Sequence, residues 1–106
     1  MRLQIVTRNL PSSHALRSYI SNRLSHTVDH LSHRIRSVTV RLKDTNGPRG
    51  GIDKLCTMHV ELHPSGTVTI HDRDEDYYRL IDKSSKKLKR AMGRFVARRV
   101  AKRSRR

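Results

Sequence analysis

Hydrophobic and polar residues alternate in four short segments of the chain, a pattern typical of β-strands that bury one face. The segments are residues 2–6, residues 37–42, residues 55–62 and the stretch around Val68 and Ile70. Turn-forming residues separate them, with a glycine-rich connection at 44–53 and a tight turn at 64–66. Because only one face of each segment is apolar, the pattern predicts a sheet that is covered on one side.

Two longer segments have apolar residues at the spacing of an α-helix. The first runs from about residue 12 to residue 31, and Ser12 or Ser13 can cap its first N–H groups. The packed part of the second helix is expected to end near Val96, because Arg99 falls on the buried side. Its buried stripe is predicted to consist of Tyr78, Ile81, Ser85, Leu88, Met92 and Phe95 or Val96.

The order of these elements, β-α-β-β-β-α, predicts an α+β fold. Two helices cover one face of a four-stranded mixed sheet, a two-layer sandwich that resembles the layout of double-stranded-RNA-binding domains. The first strand is expected to pair parallel to the second through a right-handed helical crossover, and the last three strands to form an antiparallel meander. The outer sheet face is expected to carry mainly Ser, Thr, His and Glu. We assign residues 1–97 to a single domain and residues 98–106 to a basic tail that is expected to be disordered.

Charge is distributed unevenly along the 106 residues. The chain has 24 Lys and Arg against nine Asp and Glu, which gives a net charge of +15. Residues 77–106 alone carry 13 of the basic residues and a single acid, Asp82. Such a concentration of positive charge predicts a polyanionic partner.

The strongest candidate site is a ridge of cations on the second helix. With Ile81 at the centre of the buried stripe, five basic residues fall within about 40° of the opposite side and a sixth borders them. The ridge extends over about 23 Å. On the first helix two arginines flank the apolar stripe, and one of them is expected to face the groove between the helices. The candidate phosphate contacts are Arg17, Arg23, Arg79, Lys83, Lys86, Lys87, Arg90 and Arg94.

Catalytic chemistry receives little support from the residues. Cys56 lies in an alternating apolar run, which is typical of a buried core thiol. Four acids precede the second helix, where all of them can cap its N-terminus, so a general acid–base pair is not needed to explain them. These acids are Asp72, Asp74, Glu75 and Asp76. We therefore expect neither an enzyme nor a small-molecule substrate.

The residues also give little support for a metal site or for a membrane-spanning segment. His26, His30 and His33 have helix-like spacing, but His33 falls beyond the predicted helix end and no Cys-x-x-Cys pair accompanies them. We expect no metal and no other cofactor. No apolar run approaches the roughly 20 residues that span a bilayer, so we expect a cytoplasmic protein without a membrane partner.

Three stretches of the sequence match a known family. They are residues 1–9, residues 15–20 and 23–25 of the first predicted helix, and residues 75–82 followed by Lys87-Leu88-Lys89-Arg90. Together they resemble the ribosome hibernation-promoting factor family, also called ribosome-associated inhibitor or sigma-54 modulation proteins, over residues 1 to about 94. The family's basic helix positions correspond to Arg23, Lys87, Arg90 and Arg94.

This resemblance implies a short-form bacterial protein that binds the small ribosomal subunit and its rRNA in the decoding channel. There it would occlude messenger and transfer RNA, block translation and keep inactive ribosomes intact under stress. Away from the ribosome the protein is expected to be a monomer. The alternative is a generic double-stranded RNA or nucleic-acid-binding module without specificity for ribosomes. In both cases the helices, rather than the open sheet face, are expected to form the main RNA surface.

Overall fold

A computed structural model of the chain describes residues 2–8, 13–45 and 53–104. The elements in chain order are β1 (Arg2–Arg8), α1 (His14–Val28), β2 (Ile35–Asp44), β3 (Lys54–Leu62), β4 (Thr67–Asp74) and α2 (Tyr77–Ser104). The strands lie in the order β1-β2-β3-β4, with β1 parallel to β2 and the other two pairs antiparallel. The predicted fold class, the parallel first pair and the meander are all confirmed.

One hydrophobic core lies between the helices and the inward face of the sheet. Leu16, Ile20, Leu24 and Val28 recur every four residues on α1 and are all buried, as the helical period predicts. The sheet supplies the alternate residues of β2, β3 and β4, including Cys56, which is only 1% exposed. Burial raises the pKa of the Cys56 thiol to about 11, so it stays protonated at neutral pH. The interpretation of Cys56 as a core thiol is confirmed.

The first helix is shorter than its pattern predicts. Ser13 Oγ accepts a hydrogen bond from the backbone N–H of Leu16 at 3.0 Å, which caps the helix, while Ser12 lies outside the described residues. The α-helix ends at Val28, and a 3₁₀ segment follows at Asp29–Arg34. This tighter turn keeps Leu31 packed on the core while the chain turns into β2.

The buried stripe of α2 is rotated by about 25° from the predicted one. Leu80, Ser84 and Ile81 are all fully buried, so the stripe is centred to one side of Ile81. Tyr78 was predicted to be buried, but 42% of it is exposed, and its ring meets the edge of Tyr19 with centroids 4.9 Å apart. The small, polar Ser84 gave no sign of burial in the sequence, which is why the register was misplaced.

The packing of α2 continues one turn beyond Val96. The guanidinium of Arg99 lies 4.9 Å from the centroid of the Phe95 ring and donates to the carbonyl of Ser65 at 3.0 Å. Gly66 has a φ of +109°, and a Cβ there would lie 2.5 Å from the Phe95 ring, so only glycine fits this turn. The helix itself extends to Ser104, whereas Arg105 and Arg106 lie outside the described residues. The division into a domain and a disordered tail stays a prediction.

Asp74 joins the end of β4 to the start of α2. Its carboxylate is 8% exposed and accepts bonds from Arg79 Nη2 at 2.8 Å and from Lys83 Nζ at 3.1 Å. The backbone N–H groups of Glu75 and Asp76 also donate to its Oδ1. The Arg79 guanidinium, helped by these other donors, holds the pKa of Asp74 well below its usual range.

The prediction that all four acids cap the second helix is wrong for two of them. Asp72 and Asp74 belong to β4, where they continue the inward alternation of Val68 and Ile70. Asp76 does cap α2, because its Oδ2 accepts from the backbone N–H of Arg79 at 3.0 Å. The sequence pattern predicted that the acids lie near the start of the helix, but it did not predict that two of them belong to the strand that packs against it.

Replacing Asp74 with Asn should lower the free energy of unfolding by about 1–2 kcal/mol at pH 7, because its charge-assisted bonds are lost while Arg79 stays half-exposed. The folded-state pKa of Asp74 is below the unfolded value of about 3.9, so this stabilisation is complete above about pH 5 and is lost as the pH falls. Urea unfolding of both proteins across pH 3–7 measures the difference.

The matched control is Glu75→Gln, which removes an acid whose side chain is 59% exposed and should change stability by less than about 0.5 kcal/mol. An Asp74→Asn difference that stayed constant down to pH 3 would contradict the assignment of Asp74 as the ionised centre of this network.

Candidate nucleic-acid interface

The outward face of α2 carries the predicted ridge. All six of its basic residues are exposed. Five of these six residues line one open groove beside β4, together with a single acid. The residues of this α2 groove are Asp72, Lys83, Lys86, Lys87, Arg90 and Arg94. The helical geometry read from the sequence therefore places most of the predicted cations together.

The N-terminal part of the ridge is neutralised within the protein. Arg79 is bound to Asp74, and the Lys83 ammonium lies 3.1 Å from Asp74 and 3.8 Å from Asp72. Asp82 is the one acid among residues 77–106, but Asp72 and Asp74 of β4 also reach the ridge, so the expectation of a ridge interrupted by no other acid is wrong. The two strand acids come close because β4 runs directly beneath this side of α2.

Two lysines of the ridge also cover the exposed edge of the sheet. Lys87 Nζ donates to the carbonyl of His71 at 2.7 Å, and Lys83 Nζ donates to the carbonyl of Arg73 at 3.0 Å. Because β4 is an edge strand, its outward carbonyls have no neighbouring strand to bond with. Lys83 and Lys87 therefore have a structural role, whether or not they also contact a ligand.

The remaining ridge cations have no partner among the residues that the structure describes. Lys86, Arg90 and Arg94 are exposed and make no hydrogen bond or ion pair with any residue that the structure describes. They follow one another at i, i+4 and i+8, the spacing at which like charges destabilise a helix by a few tenths of a kcal/mol per pair. They extend over about 12 Å along α2. A polyanion in the α2 groove would remove this repulsion.

The two predicted arginines of α1 differ in their surroundings. Arg23 faces α2, where its Nε lies 3.3 Å from Asp82 Oδ1, so the expectation that one of the two faces the other helix is confirmed. The Tyr19 hydroxyl donates to the same carboxylate oxygen, and this bond raises the pKa of Tyr19. Arg17 is exposed on α1. The Arg23–Asp82 pair is half-exposed, so it remains accessible to an anion at the junction of the helices.

A second group of cations was missed. Four cations are exposed at one end of the open face of the sheet. They are Arg8 on β1, Arg41 and Lys43 on β2, and Arg73 on β4. This face was expected to carry mainly Ser, Thr, His and Glu, and that description holds only for its middle and opposite end. The strand alternation that placed Arg41 outward would have found the others if the predicted strands had reached residues 8, 43 and 73.

Two kinds of feature are not found within the part of the chain that the structure describes. No cluster of three or more His, Cys, Asp or Glu side chains is arranged to hold a metal ion there. None of the described helices has the length and apolar character needed to cross a membrane.

Two solved structures share this fold. A ribosomal subunit interface protein from Coxiella burnetii aligns with a TM-score of 0.79 and 21% sequence identity, covering 92% of this chain and 99% of that one. The N-terminal domain of Protein Y from Thermus thermophilus aligns with a TM-score of 0.72 and 24% identity, covering 90% of this chain and 99% of that one. At these identities the likeness establishes the fold alone. No curated protein sequence matches the chain.

The sequence identifies the family more directly than the fold does. The family described as Sigma 54 modulation protein / S30EA ribosomal protein has a sequence model that matches residues 3–100, which is nearly the whole chain. The match includes all eight predicted phosphate contacts and agrees with the resemblance found in the sequence. The chain therefore belongs to the Sigma 54 modulation protein / S30EA ribosomal protein family.

Proposed function

We propose that this protein binds the rRNA of the small ribosomal subunit through α2 and blocks translation by occupying the decoding channel. Family membership supports a ribosomal partner. The RNA contact is inferred from Lys86, Arg90 and Arg94 in the α2 groove, which form no ion pair with any described residue. A groove lined by arginine and lysine is suited to phosphates, since Arg forms paired hydrogen bonds with them and Lys supplies a point charge.

The inhibition in this proposal is steric. The 28 residues of α2 form a rod about 42 Å long, and the buried Leu88 and Met92 fix its middle to the core. A domain of this kind held in the channel would exclude messenger and transfer RNA, because two ligands cannot occupy the same volume. The step requires no covalent reaction, and the ribosome is stored inactive but intact.

The ridge residues are proposed to act in two ways. Lys86, Arg90 and Arg94 contact rRNA phosphates directly, while Arg79 and Lys83 hold α2 against β4 through Asp74. Lys87 does both, since it binds the His71 carbonyl and also lines the α2 groove. Arg17 and Arg23 provide the contacts from α1.

Reversing two charges in the α2 groove should weaken binding to purified small subunits by about 100-fold at moderate salt, because favourable phosphate contacts become repulsive. The variant is Lys86→Glu with Arg90→Glu, and affinity is measured by co-sedimentation over a concentration series. Arg2→Glu with Arg36→Glu changes the net charge equally at the far end of the sheet and should cost less than about fivefold.

Two results would count against the proposal in different ways. Equal losses in both variants would show that binding depends only on net charge. Equal affinity of the unmodified protein for the small subunit and for a generic RNA duplex would favour the alternative, a double-stranded RNA-binding module without specificity for ribosomes.

Occupation of the decoding channel predicts mutual exclusion with transfer RNA. Adding messenger RNA and initiator transfer RNA to small subunits that carry the labelled protein should release it in proportion to transfer RNA occupancy, by mass action. Fluorescence anisotropy of the label follows the release, and an RNA of equal length that does not bind the small subunit is the control. If the protein stayed bound to subunits saturated with transfer RNA, the occlusion mechanism would be excluded even though rRNA binding stood.

A further inference from the structure

The open face of the sheet has two adjacent rows of residues that are rich in cations. Strand pairing places one residue from each strand side by side in each row. The first row is Arg8, Lys43, Leu55 and Arg73, and the second is Val6, Arg41, Thr57 and His71. Neighbouring strands are about 4.8 Å apart, so the two rows cover a compact patch. We call these eight residues the sheet patch.

The sheet patch contains no acid. Glu61 is the acid on the open face of the described sheet, and it lies four residues along β3 from Thr57, about 13 Å away. The side chains of Arg8, Arg41, Lys43 and Arg73 form no ion pair with a described residue. Arg8 and Lys43 are direct neighbours across the β1–β2 pair, where like charges are unfavourable.

Protection of sheet edges explains only part of this arrangement. Charged residues on edge strands prevent pairing with other chains, and Arg8 on β1 and Arg73 on β4 can serve that purpose. Arg41 and Lys43 lie on β2, which is paired on both sides, so they protect no edge. Their repulsion is relieved if an anion lies on the patch.

The shape of the patch fits an extended strand of nucleic acid. Val6 and Leu55 form an apolar floor, and Arg8, Arg41 and Lys43 surround it in one shallow groove. Ribose and base can rest on the apolar floor while phosphates meet the cations, as on other open sheets that bind single strands. The patch has no Phe, Tyr or Trp side chain for base stacking, so we expect contacts mainly with phosphates, which do not depend on base sequence.

The sheet patch is also continuous with the α2 groove. A depression at the β4 edge is lined by Leu55 and Thr57 of the patch and by Lys87 of the α2 groove, with His71, Asp72 and Arg73 between them. The depression therefore shares residues with the grooves on both sides. A strand that leaves the α2 groove would pass Lys87 and Arg73 at the edge of the sheet, and the one acid on this path, Asp72, lies 3.8 Å from the Lys83 ammonium.

We propose that the sheet patch is a second phosphate-binding surface, on which a single strand of RNA continues from the α2 groove onto the open sheet face. This inference rests on the proposed function, since it takes the α2 groove to be the primary rRNA contact. It adds a second surface to the one expected from the sequence, in which the helices form the main RNA surface.

The first test removes the two cations of the patch that protect no edge. Arg41→Gln with Lys43→Gln should weaken binding to small subunits by about tenfold and lower the slope of log K against log salt by about 1.5, because two phosphate contacts are lost. Arg2→Gln with Arg36→Gln is the charge-matched control and should change neither by more than measurement error. Unfolding curves of both variants check that the fold is intact.

The second test asks what touches the patch. Because Cys56 is buried, a cysteine introduced at an exposed site is the reactive thiol and can carry a photo-crosslinker. Thr57→Cys lies in the patch, whereas Thr67→Cys lies about 13 Å away along the same face. On small subunits, the probe at 57 should cross-link to rRNA far more than the probe at 67.

The outcomes separate this inference from the one on which it rests. If the Arg41→Gln, Lys43→Gln variant had the same affinity and salt slope as the control variant, the proposal of a second RNA surface would be wrong. Cross-links from position 57 to ribosomal protein instead of rRNA would also contradict it. The Lys86→Glu, Arg90→Glu variant is measured alongside. If that variant bound like the unmodified protein, the proposed α2 contact would fail instead.

Discussion

The carboxylate of Asp74 determines how the last strand and the last helix are joined. It lies almost buried at the end of β4 and stays ionised because Arg79, Lys83 and two backbone N–H groups donate to it. A carboxylate that is removed from water requires such donors, so the direction in which α2 leaves the sheet is tied to them. The same contacts neutralise the first cations of α2, and they do so before any ligand is present.

The cationic surface that is left on α2 results from the small number of acidic residues in the chain. The chain has nine acidic residues and 24 basic ones. The two inward acids of β4 reach only the first two turns of α2. One turn further on, Lys87 finds a backbone carbonyl at the sheet edge, and beyond it Arg90 and Arg94 find no partner in the described chain. Leu88 and Met92 anchor this part of the helix to the core, so it cannot reduce the repulsion by unwinding locally.

Periodicity in the sequence was sufficient to predict the fold because each strand buries one face and each helix one stripe. The same alternation, continued from Val68 and Ile70, leads to Asp72 and Asp74, but acids at inward positions resemble a helix cap when read from sequence alone. The pairing of Asp74 with Arg79 depends on how α2 crosses β4, and this crossing cannot be predicted from a local sequence pattern. Burial of Ser84 was missed for a related reason, since whether a small polar residue of a helix is buried depends on how that helix packs on the sheet.

The arrangement of the two cationic surfaces bears on specificity. Contacts with phosphates fix position but carry no base sequence, so neither the α2 groove nor the sheet patch can by itself distinguish one RNA from another. The two surfaces meet at the edge of β4 at an angle set by the packing of α2 on the sheet. A regular duplex presents its phosphates on a smooth cylinder, whereas a folded rRNA can place strands on both sides of a protein edge. In our proposal, selectivity for the ribosome therefore arises from the angle between the surfaces, and the Asp74 network is one of the contacts that hold that angle.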